Sequence, residues 1–149
     1  EDSTNPLAKD WVVVGDKDSD FLHARSTPDV SLSSLGFRSL VLSQAIRAAI
    51  GIQRALAAGP RRLRGTPITV RIGIHTGPAL EKGGDLFGRN VALAARVTDQ
   101  AHGGEVLVTA DTAEAAAETD GITFEGPREV DLKGLPGGHT VVAVAWQGP

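Results

Sequence analysis

The chain has no cysteine, no methionine and no tyrosine, and only four phenylalanines and two tryptophans stand among its 149 residues. Without thiols there is no disulfide framework, no thiolate nucleophile and no cysteine-bound metal. No apolar run approaches the ~20 residues that a membrane-crossing helix needs, and no stretch reads as a secretory signal. A dominant charge is missing too. The net charge of −3 gives no general attraction to nucleic acid or an anionic bilayer. Neither a nucleic-acid partner nor direct membrane insertion is expected, and a cytoplasmic setting fits. A chain that opens on Glu1 and holds no methionine is expected to be a piece of a longer product. Its length predicts one domain, large enough to bury roughly 68–70% of the surface of the unfolded chain.

The first 36 residues are expected to be irregular, and residues 37–149 to form the domain proper. Trp11 to Val14 reads as a short strand ending at Gly15-Asp16, and Lys17 to Ser34 reads as loop around Pro28. Leu40 to Ala58 predicts a helix with an apolar stripe of Leu42, Ala45, Ile46, Ala49, Ile52 and Leu56, Gln53 lying beside it. Gly51 within it suggests close packing against a neighbour. Arg61, Arg62 and Arg64 make a basic loop to which no function is assigned. Ile68 to Leu80 alternates, with Ile68, Val70, Ile72 and Ile74 on one buried face, and His75-Thr76-Gly77-Pro78 is expected to turn the chain. No second ligand lies at metal spacing from His75. It is read as a structural hydrogen-bonding residue, as are His23, His102 and His139.

Between Gly83 and His102 the pattern changes. A glycine-bracketed turn leads into a helix whose Val91, Ala94, Ala95, Thr98 and Ala101 recur at buried-stripe spacing. Arg89, Ala92, Arg96 and Asp99 share the opposite face. Asp85, just ahead of the helix, and Arg96 are placed to address one ligand; a solvated cationic face is the plainer reading. The segment is not a phosphate-binding P-loop, because Arg89 and Asn90 stand where Lys and Ser or Thr are required. Farther on, Glu105 to Thr109 predicts a strand. Asp111 and Glu114 predict a capping box for an alanine-rich helix. Ile122 to Lys133, interrupted by Pro127, predicts an edge strand or bent hairpin arm. Leu135 to Gly138 predicts a turn, and His139 to Trp146 a last strand.

The run Asp85-Leu86-Phe87-Gly88-Arg89-Asn90-Val91-Ala92-Leu93-Ala94-Ala95-Arg96 resembles the signature of class III adenylyl/guanylyl cyclase catalytic domains. Val70 to Leu80 is similar to that family's central strand, and Gly103 to Ala110 and Asp131-Leu132-Lys133-Gly134 to its later segments. The resemblance runs in unbroken order from about Ser43 to Trp146. It implies an α+β fold: a ferredoxin-like, antiparallel-rich sheet with helices packed on one face. It implies a lyase that turns ATP into cyclic AMP and pyrophosphate for signalling, at a site shared by a homodimer or a heterodimer with another cyclase domain. Two Mg²⁺ or Mn²⁺ ions are implied as cofactors. By the same resemblance Asp85 accepts a hydrogen bond from the adenine amino group, Arg96 stabilises the transition state and Lys133 reaches the triphosphate. Asp16 is the candidate metal ligand.

Two departures stand out. Ala92 occupies the position of the family's ribose-binding asparagine, and the strand bearing the first metal aspartate is not recognisable. A cyclase-like dimerisation or regulatory module without turnover is therefore the alternative. A third reading is an α+β sensor of some other small molecule, in which Asp85, Arg96 and Lys133 serve no common site.

Overall fold

The computed structural model describes residues 8–16, 19–25, 34–59, 62–83 and 85–148, with the part before residue 40 described as backbone alone. Its elements are β1 (Ala8–Asp16), β2 (Ser19–Arg25), α1 (Ser34–Ala58), β3 (Arg62–Leu63), β4 (Thr66–Pro67), β5 (Ile72–Lys82), β6 (Asp85–Phe87), α2 (Arg89–Gln100), β7 (Val106–Thr109), α3 (Ala110–Ala116), β8 (Thr123–Leu132) and β9 (Leu135–Ala145). Seven strands form one sheet in the order β2-β1-β5-β7-β9-β8, with β6 paired to β5, while β3 and β4 form a separate ribbon. Among the described residues only the β5–β7 pairing is parallel, through Ile72↔Val106 to Ile74↔Val108. The fold is thus the antiparallel-rich α+β architecture expected.

The sheet is covered on both faces, not one. Ile72, Ile74, Val106 and Val108 point to α1 and α3 and build the main core with Leu42, Ile46, Ala49, Ile50, Ala113 and Ala116. On the other face Leu107 and Val141 pack against Val97 of α2 and Ala101 just after it. All four residues of β7 are buried, as suits a central strand covered twice. Polar anchors complete the arrangement. Gln53 Nε2 donates to the Val70 carbonyl at 2.9 Å, Trp146 Nε1 to the Gly104 carbonyl at 2.8 Å, and Arg47 and Arg54 tie α1 to the carbonyls of Asp120 and Trp146.

Several local expectations change. Residues 19–25, read as loop, pair with β1 as a hairpin, and β1 runs alongside β5 from Ala8↔Leu80 to Gly15↔Gly73. The first helix starts at Ser34, and its buried row is Leu42, Ser43, Ile46, Ala49, Ile50 and Gln53; Ile52 is 42% exposed. Among the described residues outside its own helix nothing comes within 4 Å of a Cβ placed at Gly51. The chain does not turn at His75, because β5 continues to Lys82. Pro78 is tolerated there because β7 accompanies β5 only as far as Ile74. The capping box is absent: α3 starts after Thr109, and Asp111 merely lies in its first turn. The last hairpin turns at Lys133-Gly134, between the paired Leu132 and Leu135, so Leu135 to Gly138 already belongs to β9. The edge reading of β8 holds, its register slipping between Glu125 and Arg128 around Pro127.

Candidate functional site

Helix α2 lies on β5 with almost nothing between the two backbones. A Cβ added at Gly73 would come 2.4 Å from Thr98 Oγ1 and 2.5 Å from the Thr98 nitrogen, and one at Gly77 would come 2.6 Å from Asn90 Cγ. Glycine at alternate positions of one strand face is therefore what lets the helix sit so close. The inward row is Val91, Ala94, Val97, Thr98 and Ala101, with Ala95 half-exposed and Val97 taking its expected place. Arg89, Ala92 and Asp99 are exposed and Arg96 is half-exposed, on the outward face that the spacing predicts.

Of three expected site residues one stands on this helix and two adjoin a side chain packed on it. Asp85 opens β6 and is exposed, its Oδ1 accepting the Leu86 N–H at 2.8 Å, while Leu86 packs with Val91 and Ala94. Arg96 precedes Val97, which shares a cluster with Leu132, and Lys133 follows Leu132 in the β8–β9 turn. Arg96 Nη1 donates to Asp99 Oδ2 at 3.1 Å, an exposed pair one turn apart. Asp16 ends β1 at the hairpin turn, paired with Ser19, and its side chain lies outside the described residues, as does that of His23. His102 is exposed, and His139 Nε2 lies 3.3 Å from the Leu135 carbonyl.

His75 is buried and fully engaged. Its Nδ1 lies 2.8 Å from Thr109 Oγ1 and its Nε2 3.0 Å from Asn90 Oδ1. Thr109 Oγ1 lies 2.7 Å from Thr112 Oγ1, which accepts the Thr76 N–H at 3.2 Å, and Asn90 Nδ2 donates to the Pro78 carbonyl at 2.8 Å. Burial holds the His75 pKa below its ordinary value, with its bond to Asn90 and the nearby Asp111 carboxylate acting the other way. The structural role read for His75 stands. The bonding of Asn90, Thr109 and Thr112 around His75 was not read from sequence; the signal was the glycines flanking His75, which announce something close on that face. Asn90 does not replace the missing ribose-binding side chain at position 92, since both ends of its amide already serve β5.

A cleft of about 250 Å³ opens beside this network, lined by His75, Leu93, Thr109, Asp111, His139 and Thr140 among others. Among the described residues no three His, Asp or Glu side chains are grouped to hold a metal ion. The side chain of Asp16, the candidate ligand, is not one of those residues. Among the described residues no helix is long and apolar enough to cross a membrane.

Comparison with known proteins gives this arrangement a context. A 73-residue stretch is 42% identical to the pH-sensitive adenylate cyclase MT1302 of Mycobacterium tuberculosis (strain CDC 1551 / Oshkosh). It covers 46% of this chain and only 18% of that curated relative. The fold resembles the guanylyl cyclase Cya2, with TM-score 0.65 and 22% identity over 91% of this chain and 71% of that one. It resembles the adenylyl cyclase CyaB from P. aeruginosa with TM-score 0.60 and 19% identity, over 93% and 71% respectively. Likeness to both kinds shows the fold and leaves the base open. Because the sequence profile of the adenylate and guanylate cyclase catalytic domain matches residues 12–145, nearly the whole chain, this protein belongs to that family.

Proposed function

We propose that the chain supplies the nucleotide-holding half of a class III cyclase site, with ATP as substrate and cyclic AMP and pyrophosphate as products. The observation that carries this reading is the common dependence of Asp85, Arg96 and Lys133 on α2: Arg96 stands on that helix, and Asp85 and Lys133 each adjoin a residue packed against it. In the reaction the ribose 3′ oxygen attacks the α-phosphorus. The new O–P bond forms as the bond to the β-phosphate oxygen breaks, and pyrophosphate leaves with the electron pair. Arg96 is assigned to the charge that grows on the phosphoryl oxygens. Its partner Asp99 is exposed, and such pairs are held by little, so releasing Arg96 to a phosphate costs little. Asp85, with Oδ1 occupied by the Leu86 N–H, offers Oδ2 to the adenine amino group. Lys133 offers its ammonium to the triphosphate.

Cyclases of this family are generally metal-dependent, and Mg²⁺ or Mn²⁺ is the expected ion. Asp16 is the one candidate ligand retained, and a second cyclase domain, in a homodimer or heterodimer, is proposed to complete the donor set. The test is cyclic AMP formation from ATP with Mn²⁺ over several protein concentrations. Turnover should rise more than linearly with concentration, and Arg96→Ala should lower it about 10²–10³-fold. No product at any concentration would sink the enzyme reading. The exposed Ala92, where the signature has asparagine, favours as second reading a dimerisation or regulatory module without turnover.

A further inference from the structure

The polar chain through His75 has ends whose hydrogen-bond roles cannot change. At one end the Thr76 N–H can only donate, and Thr112 Oγ1 accepts it. At the other the Pro78 carbonyl can only accept, and Asn90 Nδ2 donates to it. That fixes the amide of Asn90, so Oδ1 is the atom facing His75 Nε2. An amide oxygen cannot donate, so Nε2 must carry the ring proton. In a neutral imidazole Nδ1 is then bare and accepts from the Thr109 hydroxyl. Hydroxyl protons rotate to suit their partners, so Thr109 takes the Thr112 hydroxyl as its own donor across their 2.7 Å contact. Every bond from Thr76 to Pro78 then has one proton, and all point the same way. Bonds aligned in this manner strengthen one another.

We propose that His75, as the neutral Nε2–H tautomer, is a positioning residue that seats the start of α2 on β5 by gripping Asn90. Asn90 is the second residue of the helix. Gly88, before the helix, brings no side chain to cap it, and the first backbone bond recorded there is from the Ala92 N–H to the Gly88 carbonyl at 3.2 Å. Gly77 leaves open the space that the Asn90 amide fills. The helix start is thus held from the strand below and not from its own end. Asp111 from α3 and His139 from β9 are the charged or titratable side chains that act on the ring. The consequence for Arg96, two turns along α2, rests on the cyclase reading; the seating of the helix does not.

Three variants and one spectrum test this. Two-bond ¹H–¹⁵N correlations of the His75 ring at neutral pH should show a protonated Nε2 and a bare Nδ1. A ring protonated at Nδ1 alone would overturn the proposal without any variant. His75→Gln places an amide N–H near the old Nε2 position, whereas His75→Asn reaches only as far as Nδ1. Hydrogen exchange at the Ala92 amide should stay within about threefold of wild type in His75→Gln. It should quicken about tenfold or more, relative to the amides of β7, in His75→Asn and in Asn90→Ala. Equal quickening in the Gln and Asn variants, or quickening spread evenly over all amides, would mean His75 is an ordinary core residue. Neither readout needs nucleotide, so a chain that binds no ATP would sink the cyclase reading alone.

Discussion

Gly73 and His75 sit two residues apart on the strand face that carries α2, and each makes a claim open to measurement. Gly73→Ala should force the helix off β5, because the new methyl would meet the backbone nitrogen of Thr98 and not just a movable side chain. Overpacking of this kind costs about 1–3 kcal/mol, read as a lower urea midpoint with an unchanged slope. For His75 the folded state favours the neutral ring, so the unfolded chain takes up a proton first as the pH falls. Its contribution is fully present above about pH 6.5 and is lost as the pH drops from there towards the lowered folded value. Urea midpoints across that window should fall more steeply for wild type than for His75→Gln. The outward arginine and the hydrogen-bonding role of the histidine were both legible in sequence, since each follows from spacing and local chemistry, whereas the burial of the histidine was not. The bonds of Asn90, Thr109 and Thr112 to β5 were not, because their partners on that strand lie 12 to 36 positions away and only the fold introduces them.

Helices and strands show the same division between periodicity and context. The apolar spacing located α1 but chose Ile52 over Ile50 for its buried row, as a two-residue shift on a helix with apolar residues all around is decided by packing. Ile46, fully buried between α1 and the sheet, is the position where that packing is best tested. Ile46→Ala should cost about 2–5 kcal/mol in chemical denaturation, far more than Ile52→Ala on the exposed side. For β5 the alternation gave the strand and, through Ile72 and Ile74, one of its faces, but Ile68, expected on that face, precedes the strand and is 41% exposed. The second face was hidden because Gly73, His75 and Gly77 look solvent-tolerant in isolation. They are small or polar because a helix lies on them. Thr109 likewise precedes α3 in the cap position without capping it, its hydroxyl being committed to the His75 chain.

At the scale of the molecule, the order of strands puts β7 at the centre and β8 at an edge. Hydrogen exchange should therefore find Leu107 and Val108 among the slowest amides, opening only with global unfolding, and the β8 amides near Pro127 among the fastest in the sheet. The long-range pairing of β5 with β7 and of β7 with β9 could be drawn from sequence only through family resemblance, since alternation tells a strand its faces and not its neighbours. The two sides of α2 have a further consequence. Its grip on the sheet is made by one row of residues, and the arginine proposed to meet nucleotide stands on another, so the outward row can be rewritten while the fold persists. Ala92, exposed on that row, is a vacant mounting point. Ala92→Asn should alter stability by less than about 1 kcal/mol, checked by thermal melting, and would graft onto an intact frame the one side chain that the cyclase signature lacks in this helix.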